Sequence, residues 1–131
     1  MTDMKRGPYA AETEERWGST ETYKQASART KAYSDADWAE IKAELEAIEA
    51  DFAEALERGV APDDEQALVL AERARSHIDQ RFYSCSHAMH ATLADMYTAD
   101  ERFKAHYENR AAGLAQYVAD AIKANAARHS A

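Results

Sequence analysis

A single cysteine, Cys85, excludes an internal disulfide, and a reducing compartment is the simplest setting for such a chain. Basic residues are also few: 16 Lys and Arg stand against 24 Asp and Glu, a formal net charge of −8. Phosphate contacts need clustered cations, so no nucleic-acid contact by this chain itself is expected, and its acidic surface disfavours anionic membranes. No apolar run approaches the roughly 20 residues of a membrane span. Met1 to Tyr9 lack the apolar core of a secretory signal, so a cytoplasmic location is the expectation by elimination. Two prolines and four glycines leave most of the chain without a helix breaker. The fingerprints of hydrolases, phosphate-binding loops and dinucleotide folds are absent too, as are CxxC and HExxH pairs. Binding rather than enzymatic turnover is the expectation, with no cofactor.

What is present is helical periodicity. The 131 residues suit one compact domain, and 46% hydrophobic residues can build a core. Residues 1–13 read as a flexible lead, 14–127 as the domain and 128–131 as a tail. From Asp35 to Arg58, the residues Trp38, Ile41, Leu45, Ile48, Phe52 and Leu56 recur at steps of three or four and share one helix face. Ser34 and Asp37 have capping-box spacing, and Gly59 is a natural left-handed C-terminal residue. A second helix from about Asp63 would turn Ala67, Leu70, Ala74, Ile78 and Phe82 inward, antiparallel to the first. A third, about Ser86 to Tyr97, would turn in Met89, Leu93 and Met96. Thr98 and Glu101 open a fourth that buries Phe103 and Tyr107, and Gly113 precedes a last helix through Leu114, Tyr117, Val118, Ala121 and Ile122. No stretch alternates with period two for long enough to make a strand. The fold class is all-α.

The first third differs. No aliphatic side chain larger than alanine lies between Met4 and Ile41, and Trp17, Tyr23 and Tyr33 stand among polar and small residues. Such a segment forms a helix with little to hold it to a core. Residues 14–33 are therefore a candidate lid, ordered when something apolar fills the gap beneath, or else an amphipathic helix docked by its aromatics.

Candidate chemistry concentrates in Phe82-Tyr83-Ser84-Cys85-Ser86-His87-Ala88-Met89-His90. Cys85 falls at a helix start, where free backbone N–H groups lower a thiol pKa. It reads either as a soft nucleophile or as the small buried hydrophobe that a lone cysteine commonly is. Cys85, His87 and His90, with His77 a helix earlier, could in principle ligate zinc, but the spacing matches no established metal motif and no metal is expected. Glu44, Glu46, Glu49 and Asp51 fall on the expected solvent face of the long helix. Two Trp and seven Tyr can line a cleft with apolar walls and hydroxyl tips, or can be core.

At these residues the chain resembles the TipAS antibiotic-recognition domain of MerR-type transcriptional activators. The likeness runs from Arg16-Trp17-Gly18 through Tyr23-Lys24, Arg29-Thr30, Tyr33 and Asp37-Trp38 to His77-Ile78-Asp79, Phe82-Tyr83-Ser84-Cys85-Ser86 and Met89-His90. It continues through Leu93 to Tyr97, Arg102-Phe103, Tyr107 and Gly113 to Ala126, covering about residues 14–126. The resemblance implies a globin-like helical domain with a ligand cleft and a mobile N-terminal helical lid. It implies bulky apolar ligands of the thiopeptide antibiotic kind, such as thiostrepton. It places Cys85 as the covalent candidate, its thiolate adding to a dehydroalanine of the drug. The implied cleft residues are Trp17, Tyr23, Tyr33, Trp38, Phe82, Tyr83, Met89, His90 and Tyr97. MerR activators also carry a helix-turn-helix and a coiled coil, and these 131 residues hold neither, so DNA would be reached only through a fused domain. The isolated domain is expected to be a monomer or weakly self-associating. Stress regulators of the SkgA kind share this domain, so the physiological ligand need not be a thiopeptide; a stand-alone drug-sequestering resistance protein and a thiol-based oxidant sensor are the alternatives.

Overall fold

The computed structural model describes residues 21–129. Six helices are found there and no strand: α1 Glu21–Lys31, α2 Asp35–Glu57, α3 Glu65–Arg81, α4 His87–Ala99, α5 Glu101–Glu108 and α6 Leu114–His129. Trp17 and the 1–13 lead lie outside the described residues, as does the first part of the candidate lid.

Polar side chains set where these helices start. The Ser34 hydroxyl accepts from the Asp37 N–H at 3.1 Å while the Asp37 carboxylate accepts from the Ser34 N–H at 3.0 Å, the reciprocal capping box expected for α2. Asp64, one residue beyond the expected Asp63, caps α3 through the Gln66 N–H at 2.9 Å. Ser86 caps α4 through the Met89 N–H. The expected Thr98 start of α5 is wrong. Thr98 still belongs to α4, with its hydroxyl on the Asp95 carbonyl, and Asp100 is the residue that caps α5. Glu108 then reaches forward, its two carboxylate oxygens accepting from the N–H groups of Gly113 and Ala115 at 3.0 Å each, which satisfies free donors at the start of α6. Gly59 and Gly113 both take positive φ, +76° and +83°, after α2 and before α6.

α6 is the centre of the domain. Leu114, Ala115, Tyr117, Val118, Ala119, Ala121, Ile122 and Asn125 are all buried, so it is covered on nearly every side. It packs against α2, α3, α4 and α5, and most extensively against α4. There the inward positions are His90 and Ala94, not the expected Met89, Leu93 and Met96, which are only partly covered. The face is rotated because Ala94, fully buried, lets α4 approach the alanine-rich side of α6 closely. On α3 the buried set is Ala67, Leu68, Ala71 and His77, whereas Leu70 and Ala74 are partly covered and pack on the core from its edge. α1 packs chiefly on α3.

The Gly113 backbone is the most exposed of these arrangements to a simple test. A Cβ there would touch nothing within 4 Å, so the cost of Gly113→Ala is backbone strain alone. Urea unfolding is expected to show a loss of about 1 kcal/mol; an unchanged midpoint would mean that the turn adopts another conformation.

Candidate functional site

The apolar stripes of α2 and α3 do not close on each other. Leu45, Ile48 and Phe52 of α2 face Ala74, Ile78 and Phe82 at the C-terminal end of α3 across a cavity of about 760 Å³. Val118 and Ile122 of α6 form its floor, and α5 supplies Phe103 and Tyr107. The gap explains why Leu45, on the expected core face of α2, is 40% exposed: it is cleft wall rather than core. Pockets of about 300–1,000 Å³ suit small organic ligands.

Polar groups enter this apolar hollow at few points. Glu49 is one, and its position corrects the sequence reading, which assigned it to solvent. It is buried between the turns of Ile48 and Phe52, and both of its oxygens meet His106 Nε2 at 2.9 Å, with Arg110 Nε at 3.7 Å from one of them. α5 covers this flank of α2, and the short helix between Asp100 and Gly113 could not be located from the long helix's own periodicity. Glu44 is likewise not simply solvated: it takes two hydrogen bonds from Arg81 and one contact from His77 Nε2 at 3.1 Å. Asp51 pairs with Arg73, and Glu46 is exposed as expected. His90 lines the cavity at 2% exposure, and burial, with the Arg75 cation adding, lowers its pKa to about 4. It is therefore a neutral imidazole at neutral pH. Tyr97 and Tyr107 lie with ring centroids 5.3 Å apart on the same wall, and burial pushes the Tyr97 phenol up to about 12.

Of the cleft residues expected from the sequence, Phe82, His90 and Tyr97 line the cavity. Tyr33 and Trp38 stand one layer behind. Trp38 packs edge-on to Tyr33 at 5.6 Å and tilted against Phe82 at 6.3 Å, so an aromatic row runs from the end of α1 to the cavity wall. The Tyr33 hydroxyl donates to the Arg81 carbonyl. Tyr23, Tyr83 and Met89 are partly covered and are not on the lining. The residues that the sequence reading missed are Glu49, His106 and Phe103 with Tyr107 as wall. The signal for the pair was faint, since a carboxylate three residues before a core phenylalanine is an ordinary surface pattern.

Cys85 is 1% exposed and does not line the cavity. Its thiol pKa is pushed up to about 11, by burial first and by the Asp79 and Glu72 carboxylates next, against the lowering effect of Arg75. The expected helix-start effect does not prevail because the local donors are already taken. The Cys85 N–H goes to Asp79 Oδ1 at 2.8 Å, and the Ser86 hydroxyl takes the Met89 N–H. Arg75 pins the Cys85 carbonyl at 2.6 Å. α1 reaches the same turn through Gln25, which accepts from the Ser84 N–H at 2.8 Å, and reaches the end of α3 through Arg29, which donates to the Asp79 carbonyl.

Two measurements check these placements. In the ligand-free protein at pH 7, Cys85 should react with iodoacetamide on the order of a hundred-fold more slowly than a free thiol, and at the ordinary rate in denaturant; ordinary reactivity in the folded protein would refute a buried thiol. His90 gives an acid limb. Its folded pKa lies below the unfolded one, so its penalty is absent above pH 6.5, grows as pH falls, and levels off below about 4. The full effect is on the order of 3 kcal/mol. Stability measured from pH 7 to 4 should fall less steeply in His90→Phe; equal slopes would contradict the assignment.

Comparison with known proteins places this geometry. The model of the TipAS antibiotic-recognition domain family matches residues 9–125. The HTH-type transcriptional activator TipA of Streptomyces coelicolor is 38% identical over 128 residues, 98% of this chain and 51% of that protein. The HTH-type transcriptional activator mta of Bacillus subtilis is 33% identical over 114 residues, 87% of this chain and 43% of its own length. The chain thus spans about half the length of the curated relatives it matches. A solved structure of TipAS from Streptomyces lividans in complex with nosiheptide superposes with a TM-score of 0.87 at 38% identity, covering 94% of this chain and 86% of that one.

Proposed function

Since the chain belongs to the TipAS antibiotic-recognition domain family, we propose that its cleft captures thiopeptide antibiotics of the nosiheptide kind, and other bulky apolar molecules, without turning them over. The observation that carries this reading is the cavity of about 760 Å³ between α2, α3 and α5, walled by Leu45, Phe52, Ile78, Phe82 and Phe103. Apolar walls supply the affinity by burying ligand surface. Glu49 with His106, the neutral His90 and the phenols of Tyr97 and Tyr107 supply the few directional contacts that choose among ligands. Nothing in this set forms a nucleophile and base within reach of each other, which favours binding over chemistry.

α1 serves as the closing element in this proposal, with the segment from residue 14 leading into it. This helix and the Tyr33 that follows it are held to the body by Gln25 to Ser84, Arg29 to the Asp79 carbonyl and Tyr33 to the Arg81 carbonyl, with the Tyr33 ring edge-on to Trp38. Such contacts are worth about 1 kcal/mol each net, so ligand surface beneath the segment can decide its position. Gln25 holds the turn that carries Cys85, and Arg29 and Tyr33 hold the last turn of α3 just before it. A shift of α1 on ligand binding would loosen that turn, and a thiol now held protonated could meet a dehydroalanine of the drug. Addition would join Sγ to the alkene carbon and send the thiol proton to the neighbouring carbanion. In a cytoplasmic protein with a fused DNA-binding half, the ordering of this segment would be the signal passed on.

Binding is the primary test. Nosiheptide at a hundred-fold excess over its Kd should raise the melting free energy by about 2.7 kcal/mol. Phe82→Ala, which opens the wall and removes the Trp38 contact, should weaken binding at least tenfold. No shift with any thiopeptide would refute the reading. Mass measurement of the complex then separates covalent from reversible capture: an adduct that persists in Cys85→Ala would remove the thiol from the account.

A further inference from the structure

The histidines that the sequence groups together separate in the fold. His77 turns to Glu44 and His90 to the cleft, so the string Cys85-Ser86-His87-Ala88-Met89-His90 does not form one cluster. His87 instead meets two residues distant in sequence. His87 Nε2 lies 2.8 Å from Glu72 Oε1 of α3, and its ring stacks on that of His129 at the end of α6, with centroids 3.9 Å apart and planes 8° from parallel. One potential ligand atom from each of Glu72, His87 and His129 lies within 4.8 Å of the others. Asn125 completes the group. It is 1% exposed, its Nδ2 donates to Glu72 Oε1 at 3.0 Å, and its Oδ1 is buried with no partner among the described residues.

We propose that Glu72, His87 and His129 are a binding site for a divalent first-row transition metal ion of the zinc class, separate from the antibiotic cleft. Two imidazoles and one carboxylate are a donor set such ions prefer. His129 is already arranged as ligating histidines usually are. Its Nδ1 is held by the Asn125 carbonyl at 2.9 Å, which leaves Nε2 with its lone pair outward. Arg75 grips Glu72 on both oxygens, closest at Oε2 at 2.6 Å, which fixes the carboxylate beside His87. On binding, the ion takes the place of the proton between His87 Nε2 and Glu72 Oε1. That proton moves to Nδ1 of the same ring, and no electron is transferred. The orphaned Asn125 Oδ1 is an acceptor available to an ion-bound water.

Ligand atoms about 2.1 Å from zinc sit roughly 3.4 Å apart in a tetrahedron. The 2.8 Å His87–Glu72 pair must therefore open by roughly half an ångström, and the separations to His129, within 4.8 Å, close by up to about 1.4 Å. His129 can make that move, since it is exposed and ends its helix, and it would turn out of the parallel stack as it does so. An ion here ties α3, α4 and α6 together. Through Arg75, which also holds the Cys85 carbonyl, it would stiffen the turn below α1.

The test is a calorimetric titration of the untagged, chelator-treated chain with zinc chloride, followed by cobalt(II) absorption and melting. One equivalent should bind, and zinc should raise the melting temperature. His87→Ala and His129→Ala should each lower the affinity at least tenfold and abolish the ligand-field bands of cobalt. His129→Ala lies at an exposed helix end, so its metal-free melting temperature should equal the parent's, which separates lost binding from lost folding. Absence of stoichiometric binding, or equal affinity in the parent and both variants, would overturn the site.

Discussion

The close approach of α4 to α6 is the constraint on which the rest of the domain depends. Ala94 on one side and the alanines of α6 on the other are small enough to let the two helices pack closely along most of their contact. α6 spends one face there and offers Val118 and Ile122 on the opposite one. α2 and α3 must span from that second face, and the side chains they bring are too few to fill the space between them. Protein interiors are ordinarily packed as densely as organic crystals, so a hollow of this size is a departure that the sequence maintains. Its walls are apolar, and that surface is stabilising only when something covers it.

The electrostatics follow from the same arrangement. Burial keeps His90 neutral and Cys85 protonated, while Arg75 and Arg81 hold Glu72 and Glu44 as carboxylates at the edges of the core. Glu49 is a buried acid on the cleft wall, and it is met by His106 of α5 and by Arg110 just beyond that helix. The charged residues on the lining, Glu49, Glu101 and Arg102, stand among mostly apolar walls.

Much of the fold was legible from local signals. The Ser34–Asp37 box, Gly59, Ser86 and Gly113 mark helix ends through short-range hydrogen bonds and positive φ, which depend on a few adjacent residues. The inward faces were harder. The stripe Ala74, Ile78 and Phe82 has the periodicity of a core face, and so does Leu45, yet these residues wall a cavity. Periodicity reports that a face is apolar, not whether another side chain or a ligand covers it. The rotation of α4 to His90 and Ala94 depends on the partner helix, which no window of its own sequence contains. Phe82, His90 and Tyr97 were identifiable beside Cys85, but Glu49 and His106 are 57 residues apart and meet only through tertiary packing. The residues from 21 to 33 read as poorly anchored because they lack aliphatics; polar contacts from Gln25, Arg29 and Tyr33 and the edge-on packing of Tyr33 on Trp38 are among those that hold them.

Amide hydrogen exchange with and without nosiheptide addresses the central claim most directly, because it reads each wall of the hollow separately. The account predicts slowed exchange in α1, in the Leu45–Phe52 stretch of α2, in the Ala74–Phe82 stretch of α3 and in α5. Protection confined to surfaces away from these segments, or no change with bound drug, would contradict it.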